Sequence, residues 1–120
     1  MRTLIVEADG ASRGNPGAAS YGAVVRDEGS GELLAEVAEA IGTATNNVAE
    51  YRGLIAGLEA AAGIDSAARV EVRMDSKLVV EQMSGRWQVK HPDMKPLAAE
   101  ARTVFAAGRV TYTWMPRNQN

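Results

Sequence analysis

The line "TLIVEADGASRGNPG", residues Thr3–Gly17, joins a buried-strand signal, a carboxylate and a turn. Leu4-Ile5-Val6, set in an imperfect alternation over Arg2–Asp9, reads as a strand mostly buried on both sides. Asp9 falls at the carboxyl end of that strand. Gly14-Asn15-Pro16-Gly17 has loop chemistry, because glycine, asparagine and proline supply the backbone angles and local bonds that turns use. Turn chemistry accounts for the loop but not for a buried strand that finishes on a carboxylate.

Working outward, "ASYGAVVRDE" reads as a second strand, "GSG" as a hairpin turn and "ELLAEVAEAI" as a third strand, which makes an antiparallel meander. From Thr45 the period changes, and Val48, Tyr51, Ile55, Leu58 and Ala62 share one helical face. This helix opens near Thr45-Asn46-Asn47, residue types that cap helix starts well, and is expected to stop around Gly63. "ARVEVRMD" reads as a fourth strand with Val70, Val72 and Met74 on one side, and "SKLVVEQMSG" as a short helix capped by Ser76 and ended by Gly85. Strand, helix and strand in that order imply a right-handed crossover and parallel pairing.

Arg86–Lys95, with Trp87 and Pro92, reads as a loop or handle. "PLAAEARTVFAAG" reads as a helix with Pro96 in its first turn and Gly108 after its end, and "RVTYTWMP" as a fifth strand. Neither repeat nor linker interrupts the pattern. The expectation is one α/β domain over residues 1–120: a mixed five-stranded sheet, antiparallel in strands 1–3 and parallel in strands 4 and 5, with flanking helices.

Composition narrows the chemistry. A chain of 120 residues builds one core and is too short for two ordinary domains, and 46% hydrophobic with 23% charged residues is the usual globular balance. The absence of cysteine excludes disulfides, thiolate zinc sites and a cysteine nucleophile, and fits a reducing compartment. His91 is the single histidine, so no histidine metal cluster can form, and a surface position is expected for it. "LIV" is followed at once by Glu7 and Asp9, unlike a signal peptide, and no stretch is long enough to cross a bilayer. A soluble, cytoplasmic protein without a membrane partner is expected.

The net charge of -2 argues against affinity that comes mainly from neutralising phosphates. Between Ser76 and Lys95, however, the basic residues Lys77, Arg86, Lys90 and Lys95 outnumber the acidic Glu81 and Asp93. Such a strip is either a polyanion footprint or a solvated surface.

Three carboxylates stand out. Asp9 and Asp75 end the first and fourth strands, and Glu50 lies near the start of the long helix, at the margin of its apolar face. In open α/β sheets, sites gather beyond the carboxyl ends of the strands. If the first and fourth strands are parallel neighbours, all three groups converge there. They would repel strongly unless cations joined them. Two Mg²⁺ ions roughly 3.5–4 Å apart, held by oxygen ligands, suit phosphodiester chemistry. The ordinary alternative is that Asp9 begins a turn, Asp75 introduces the Ser76 cap and Glu50 is a first-turn acid favoured by the helix dipole.

The sequence resembles the type 1 ribonuclease H family through nearly its whole length. The carriers are Asp9-Gly10-Ala11 followed by Gly14-Asn15-Pro16-Gly17, then Thr45-Asn46-Asn47 with Glu50, then Asp75-Ser76, in the family's order and on the expected elements. The resemblance implies a ribonuclease H-like sheet and hydrolysis of the RNA strand of an RNA·DNA hybrid with Mg²⁺ or Mn²⁺, two ions per site, leaving 5′-phosphate and 3′-hydroxyl ends. It implies Asp9, Glu50 and Asp75 as catalytic metal ligands, with Asp9 bridging both ions. It places Asn15, Asn46 and Asn47 at the groove that displays the RNA 2′-hydroxyl, with Ser12 beside them and Thr45 near a phosphate of the DNA strand. Amides suit that task because they both donate and accept. Trp87 either packs on a deoxyribose or anchors its own loop.

Departures accompany the match. Lys77 stands where a Gln often follows Asp-Ser, within the substrate-binding strip. The handle at Arg86–Lys95 is shorter and less basic than in some members. The family's fourth carboxylate, an Asp at the start of a final helix, follows a segment like "WMPRNQN", and the sequence ends at Asn120 before it. "MPRNQN" resembles the short-loop, actinobacterial-like branch, some of whose members continue into a fused C-terminal phosphatase-like domain. The expectations are therefore a domain without its final helix, cut from a larger protein and impaired as a fragment, or a chain that does without the fourth group. A hybrid-binding domain with little or no catalysis, a related nuclease also acting on duplex RNA, and an integrase-type enzyme acting on DNA are the competing readings.

Overall fold

The structure, a computed structural model, describes residues 1–116. The five strands are β1 (Thr3–Arg13), β2 (Gly17–Asp27), β3 (Leu33–Ala44), β4 (Arg69–Met74) and β5 (Val110–Trp114), and the three helices are α1 (Asn46–Ile64), α2 (Lys77–Met83) and α3 (Lys95–Thr103). They form one sheet in the order β3-β2-β1-β4-β5. The β1·β2 and β2·β3 pairs are antiparallel, and the β1·β4 and β4·β5 pairs are parallel. This is the expected mixed sheet. The last four residues of "MPRNQN" lie outside the described residues, and no described helix is long and apolar enough to cross a membrane.

Leu4 and Val6 are fully buried and Ile5 nearly so, as the apolar run predicts for a central strand. Even-numbered residues of β1 meet α1, whereas Glu7 and Asp9 alternate to the other face. The core joins Leu4, Val6, Val70, Val72 and Met74 of the sheet to Tyr51, Leu54 and Leu58 of α1, with Val79 and Val80 of α2.

Three expectations are corrected. First, Asp9 does not end its strand. Pairing of β1 with β4 stops at Glu7↔Arg73, but pairing with β2 continues to Arg13↔Ala18, so β1 runs on past Asp9 as the edge of a three-stranded antiparallel stretch with β2 and β3.

Second, the buried face of α1 is rotated from the predicted one. It comprises Ala49, Tyr51, Gly53, Leu54, Ile55, Gly57, Leu58 and Ala61, while Val48 and Ala62 are only partly buried. Glycines decide this. A Cβ on Gly57 would stand 2.6 Å from Val6 Cγ1, and one on Gly53 would stand 3.0 Å from the Asp9 carbonyl oxygen. The helix lies so close to the sheet because those side chains are missing, and hydropathy gives glycine no credit for that.

Third, α3 ends at Thr103 rather than near Ala107. The Thr103 hydroxyl donates to the Glu100 carbonyl at 2.7 Å, Phe105 turns into the core, and Gly108 adopts φ +85 in the turn that leads to β5.

Candidate active site

Helix caps set the positions of two of the three carboxylates. Thr45 is the N-cap of α1, its hydroxyl accepting from the Val48 N–H at 3.3 Å. Glu50 consequently lies in the second turn, beyond the reach of a first-turn dipole explanation. Ser76 caps α2 in the same way, accepting from the Val79 N–H at 3.3 Å, and this leaves Asp75 in the bend between β4 and α2.

Gly10 brings the two elements together. A Cβ there would fall 2.3 Å from the Ala49 carbonyl carbon and 2.5 Å from the Glu50 nitrogen. The backbone of α1 therefore rests on β1 immediately beside Asp9. Because β4 stops at Met74, that edge of β1 is open beyond Glu7. Asp9, Glu50 and Asp75 meet there, with ligand oxygens all within 4.8 Å of one another. Asp9 is exposed and the other two are half-buried. The Gly10 N–H donates to Asp9 Oδ1 at 2.9 Å. A donor set made only of carboxylate oxygens, in a group that like-charge repulsion would otherwise spread, fits hard divalent cations such as Mg²⁺ or Mn²⁺.

A cleft of about 720 Å³ opens beside the cluster on the sheet face opposite α1, lined by Glu7, Asp9, Gly22, Val24, Arg73 and Asp75 among others. Gly22 stands directly across from Asp9 in the β1·β2 register, so no side chain crowds the carboxylate from that strand. On the same face Arg73 binds Glu71 through Nε at 3.0 Å and a second nitrogen at 3.3 Å, and its guanidinium holds the Glu71 carboxyl below its ordinary range.

The polar residues of the Gly14-Asn15-Pro16-Gly17 turn and the Thr45-Asn46-Asn47 segment are knitted together. Asn15 Oδ1 accepts from the Asn46 backbone N–H at 3.0 Å, at the exposed start of α1. Asn46 Oδ1 in turn accepts from the Ser12 N–H at 2.7 Å, and the Ser12 hydroxyl donates to the Gly14 carbonyl at 2.6 Å. Ser12, Asn15, Thr45, Asn46 and Asn47 thus form one rim where the β1–β2 turn meets the start of α1. The carbonyl oxygens of Asn15 and Asn46 have structural work there, which leaves amide N–H groups as the parts suited to a ligand.

The basic strip is less free than its sequence suggests. Arg86 grips Glu81 through Nε at 2.6 Å and a second nitrogen at 2.9 Å. Trp87 is 44% exposed in the loop after α2, with its backbone N–H on the Glu81 carbonyl at 3.1 Å. His91 is exposed, as expected; its Nδ1 accepts from the Asp93 N–H at 3.1 Å. Lys77 lies with Nζ 4.6 Å from the centre of the Trp114 ring, and the Trp114 indole donates to the Asp75 carbonyl at 3.1 Å. Trp114 is the neighbour that sequence reading missed. The available signal was its place at the carboxyl end of a strand parallel to the one that leads to Asp75.

A family model described as reverse transcriptase-like matches residues 7–120. The bifunctional protein Rv2228c of Mycobacterium tuberculosis is 57% identical over 118 residues, covering 98% of this chain and 32% of that protein. Ribonuclease HI of Halobacterium salinarum is 45% identical over 115 residues, covering 93% of this chain and 56% of the relative. The chain therefore spans about a third of the first and somewhat over half of the second. Among solved structures, the N-terminal RNase H domain of Rv2228c, fused to maltose binding protein, superposes with TM-score 0.93 at 55% identity, covering 100% of this chain and 86% of that one. LC11-RNase H1 in complex with an RNA/DNA hybrid does so with TM-score 0.87 at 39% identity, covering 98% and 88%. With motifs, sheet order and carboxylate cluster in agreement, the chain belongs to the type 1 ribonuclease H family.

Proposed function

We propose that this chain is the catalytic domain of an endoribonuclease that hydrolyses the RNA strand of RNA·DNA hybrids, leaving 5′-phosphate and 3′-hydroxyl ends. The observation that carries this reading is the meeting of Asp9, Glu50 and Asp75 within 4.8 Å, on three separate elements of a ribonuclease H fold. Support for the substrate comes from a relative solved with an RNA/DNA hybrid.

Asp9, Glu50 and Asp75 would hold two divalent cations, Mg²⁺ or alternatively Mn²⁺. When bound, the pair supplies activation of the attacking water and charge stabilisation at the departing 3′ oxygen. The chain's own part is positional. Gly10 lets α1 deliver Glu50 beside Asp9, and the Ser76 cap fixes the bend that carries Asp75. Gly22 leaves the approach to Asp9 open. The rim of Ser12, Asn15, Asn46 and Asn47 presents amide donors to a 2′-hydroxyl acceptor, which distinguishes RNA from DNA at that groove. Thr45, Lys77 and Trp87 extend the contact surface toward backbone phosphates and sugars.

The test is release of short labelled RNA from a hybrid in the presence of Mg²⁺ by the full natural chain. Hybrid left uncut, or an Asp9→Asn variant as active as wild type, would refute the reading. Parallel assays on duplex DNA and duplex RNA define the substrate class. We also propose a cytoplasmic location and a further domain in the natural protein, the latter supported by the Rv2228c relative, which is described as bifunctional.

A further inference from the structure

Trp114 binds the backbone of Asp75, one of the three clustered carboxylate residues. It is the last residue of β5, 41% exposed, and pairs in register with Met74, the residue before Asp75. The segment that carries Asp75 is held one carbonyl at a time. The Met74 carbonyl accepts from the Met115 N–H at 2.8 Å, and the Ser76 carbonyl from the Val80 N–H at 3.1 Å. Between them the sheet ladder has ended and α2 has not begun. There the donor to the Asp75 carbonyl is the Trp114 indole, at 3.1 Å. The same ring carries the Lys77 ammonium 4.6 Å from its centre, within cation–π range.

We propose that Trp114 is a positioning residue: its indole N–H fixes the peptide of Asp75, and its ring fixes Lys77, so that carboxylate and ammonium are presented side by side to a substrate phosphate. This rests on the function proposed above. The two halves are separable. The N–H sets the direction in which the Asp75 side chain leaves the bend, and hence the affinity of the cluster for cations. The ring face pre-orders a long flexible lysine, so less freedom is lost when it meets a phosphate. Since Trp114 is partly exposed, water can take over part of its hydrogen bond, and the effect of losing it is graded rather than total.

The experiment uses the full natural protein and three variants. Trp114→Phe keeps a ring for Lys77 and removes the donor. It is expected to weaken Mg²⁺ binding by calorimetric titration, and to lower kcat, by roughly threefold to tenfold each, with KM for hybrid within about twofold of wild type. Trp114→His restores a ring N–H and is expected to recover at least half of both losses. This arm also decides the matter if the phenylalanine variant proves too unstable to assay. Lys77→Gln is expected to raise KM for hybrid about threefold or more and to leave the Mg²⁺ midpoint in place. Wild-type values for kcat and Mg²⁺ midpoint in Trp114→Phe would overturn the role of the indole, as would losses that Trp114→His fails to recover. A wild-type protein that neither binds Mg²⁺ nor cuts hybrid would defeat the proposed function itself, whereas an active wild type beside an unaltered Trp114→Phe defeats only the role of Trp114.

Discussion

Gly10 of the first strand lies against the backbone of Ala49 in the first helix, so close that a Cβ on it would stand 2.3 Å from the Ala49 carbonyl carbon. Real Cβ atoms do not approach so near, so any side chain at this position pushes the helix off the strand. Gly10→Ala is therefore expected to destabilise the fold by roughly 1–3 kcal/mol, the usual range for overpacking. It should also reduce hybrid cleavage more than a stability loss of that size explains, because Glu50 moves with the helix. Denaturant unfolding together with kcat of the still-folded fraction measures both.

The carboxylate cluster separates stability from activity. Asp9→Asn, Glu50→Gln and Asp75→Asn are each expected to lower hydrolysis by at least about a hundredfold. In the presence of a chelator none should lower Tm, because each removes like-charge repulsion. Adding Mg²⁺ should raise the Tm of wild type and raise that of the variants much less, by preferential binding to the folded state. Thermal unfolding with and without the metal checks this.

At the rim, the two ends of one amide have different duties. Asn46 Oδ1 accepts from the Ser12 N–H at 2.7 Å, so Asn46→Ala should cost about 1 kcal/mol of stability as well as raising KM for hybrid. Asn46→Asp keeps the acceptor and loses the donor. It is expected to retain wild-type stability to within about 0.5 kcal/mol while raising KM for hybrid at least as much, and comparison of the two by unfolding and steady-state kinetics tests the division.

Alkaline stability has an identifiable source. Tyr51 is fully buried, its hydroxyl donates to Gln82 Oε1 at 2.7 Å, and burial pushes its pKa up from 10.0 to about 12. The neutral phenol is the form the fold accepts, so the stability from this group is complete below 10.0 and is lost as pH rises toward 12. Tyr51→Phe should flatten that decline in a pH series of unfolding midpoints. It should not abolish it, since burial also raises the pKa of Tyr112. Near neutrality the same variant should cost about 1–3 kcal/mol, because Gln82 Oε1 loses its donor.

Acid behaviour follows the opposite sign. The Arg73 guanidinium lowers the Glu71 pKa from its ordinary 4.5, and the Thr113 hydroxyl, from the neighbouring strand, adds to this at 3.3 Å. The contribution is complete above 4.5 and is lost as pH falls through the depressed value. The pair is partly exposed, so Glu71→Gln should change stability at neutral pH by under about 1 kcal/mol and reduce the slope of the acid transition. A pH series of denaturant midpoints below 5 checks this.

Local chemistry made much of this molecule readable in advance. The Leu4-Ile5-Val6 run marks a strand buried on both faces, Thr45 and Ser76 cap the two helices that follow them, and the order of elements came out as the apolar periods predict. Three carboxylates on three neighbouring elements also pointed to one place. Sequence by itself determined the sheet, the caps and the chemistry of the cluster, because apolar period, cap hydroxyls and carboxylates act over a few residues. Only the tertiary structure decided which face of α1 is inward, that β1 continues past Asp9, and that Trp114 holds Asp75. The first depends on missing side chains at Gly10, Gly53 and Gly57, whose contribution is close approach rather than hydrophobicity. The second depends on β2 being a longer partner than β4, and the third on a parallel register between strands whose bonded residues lie 39 positions apart. Local periodicity carries no information over that separation; packing does.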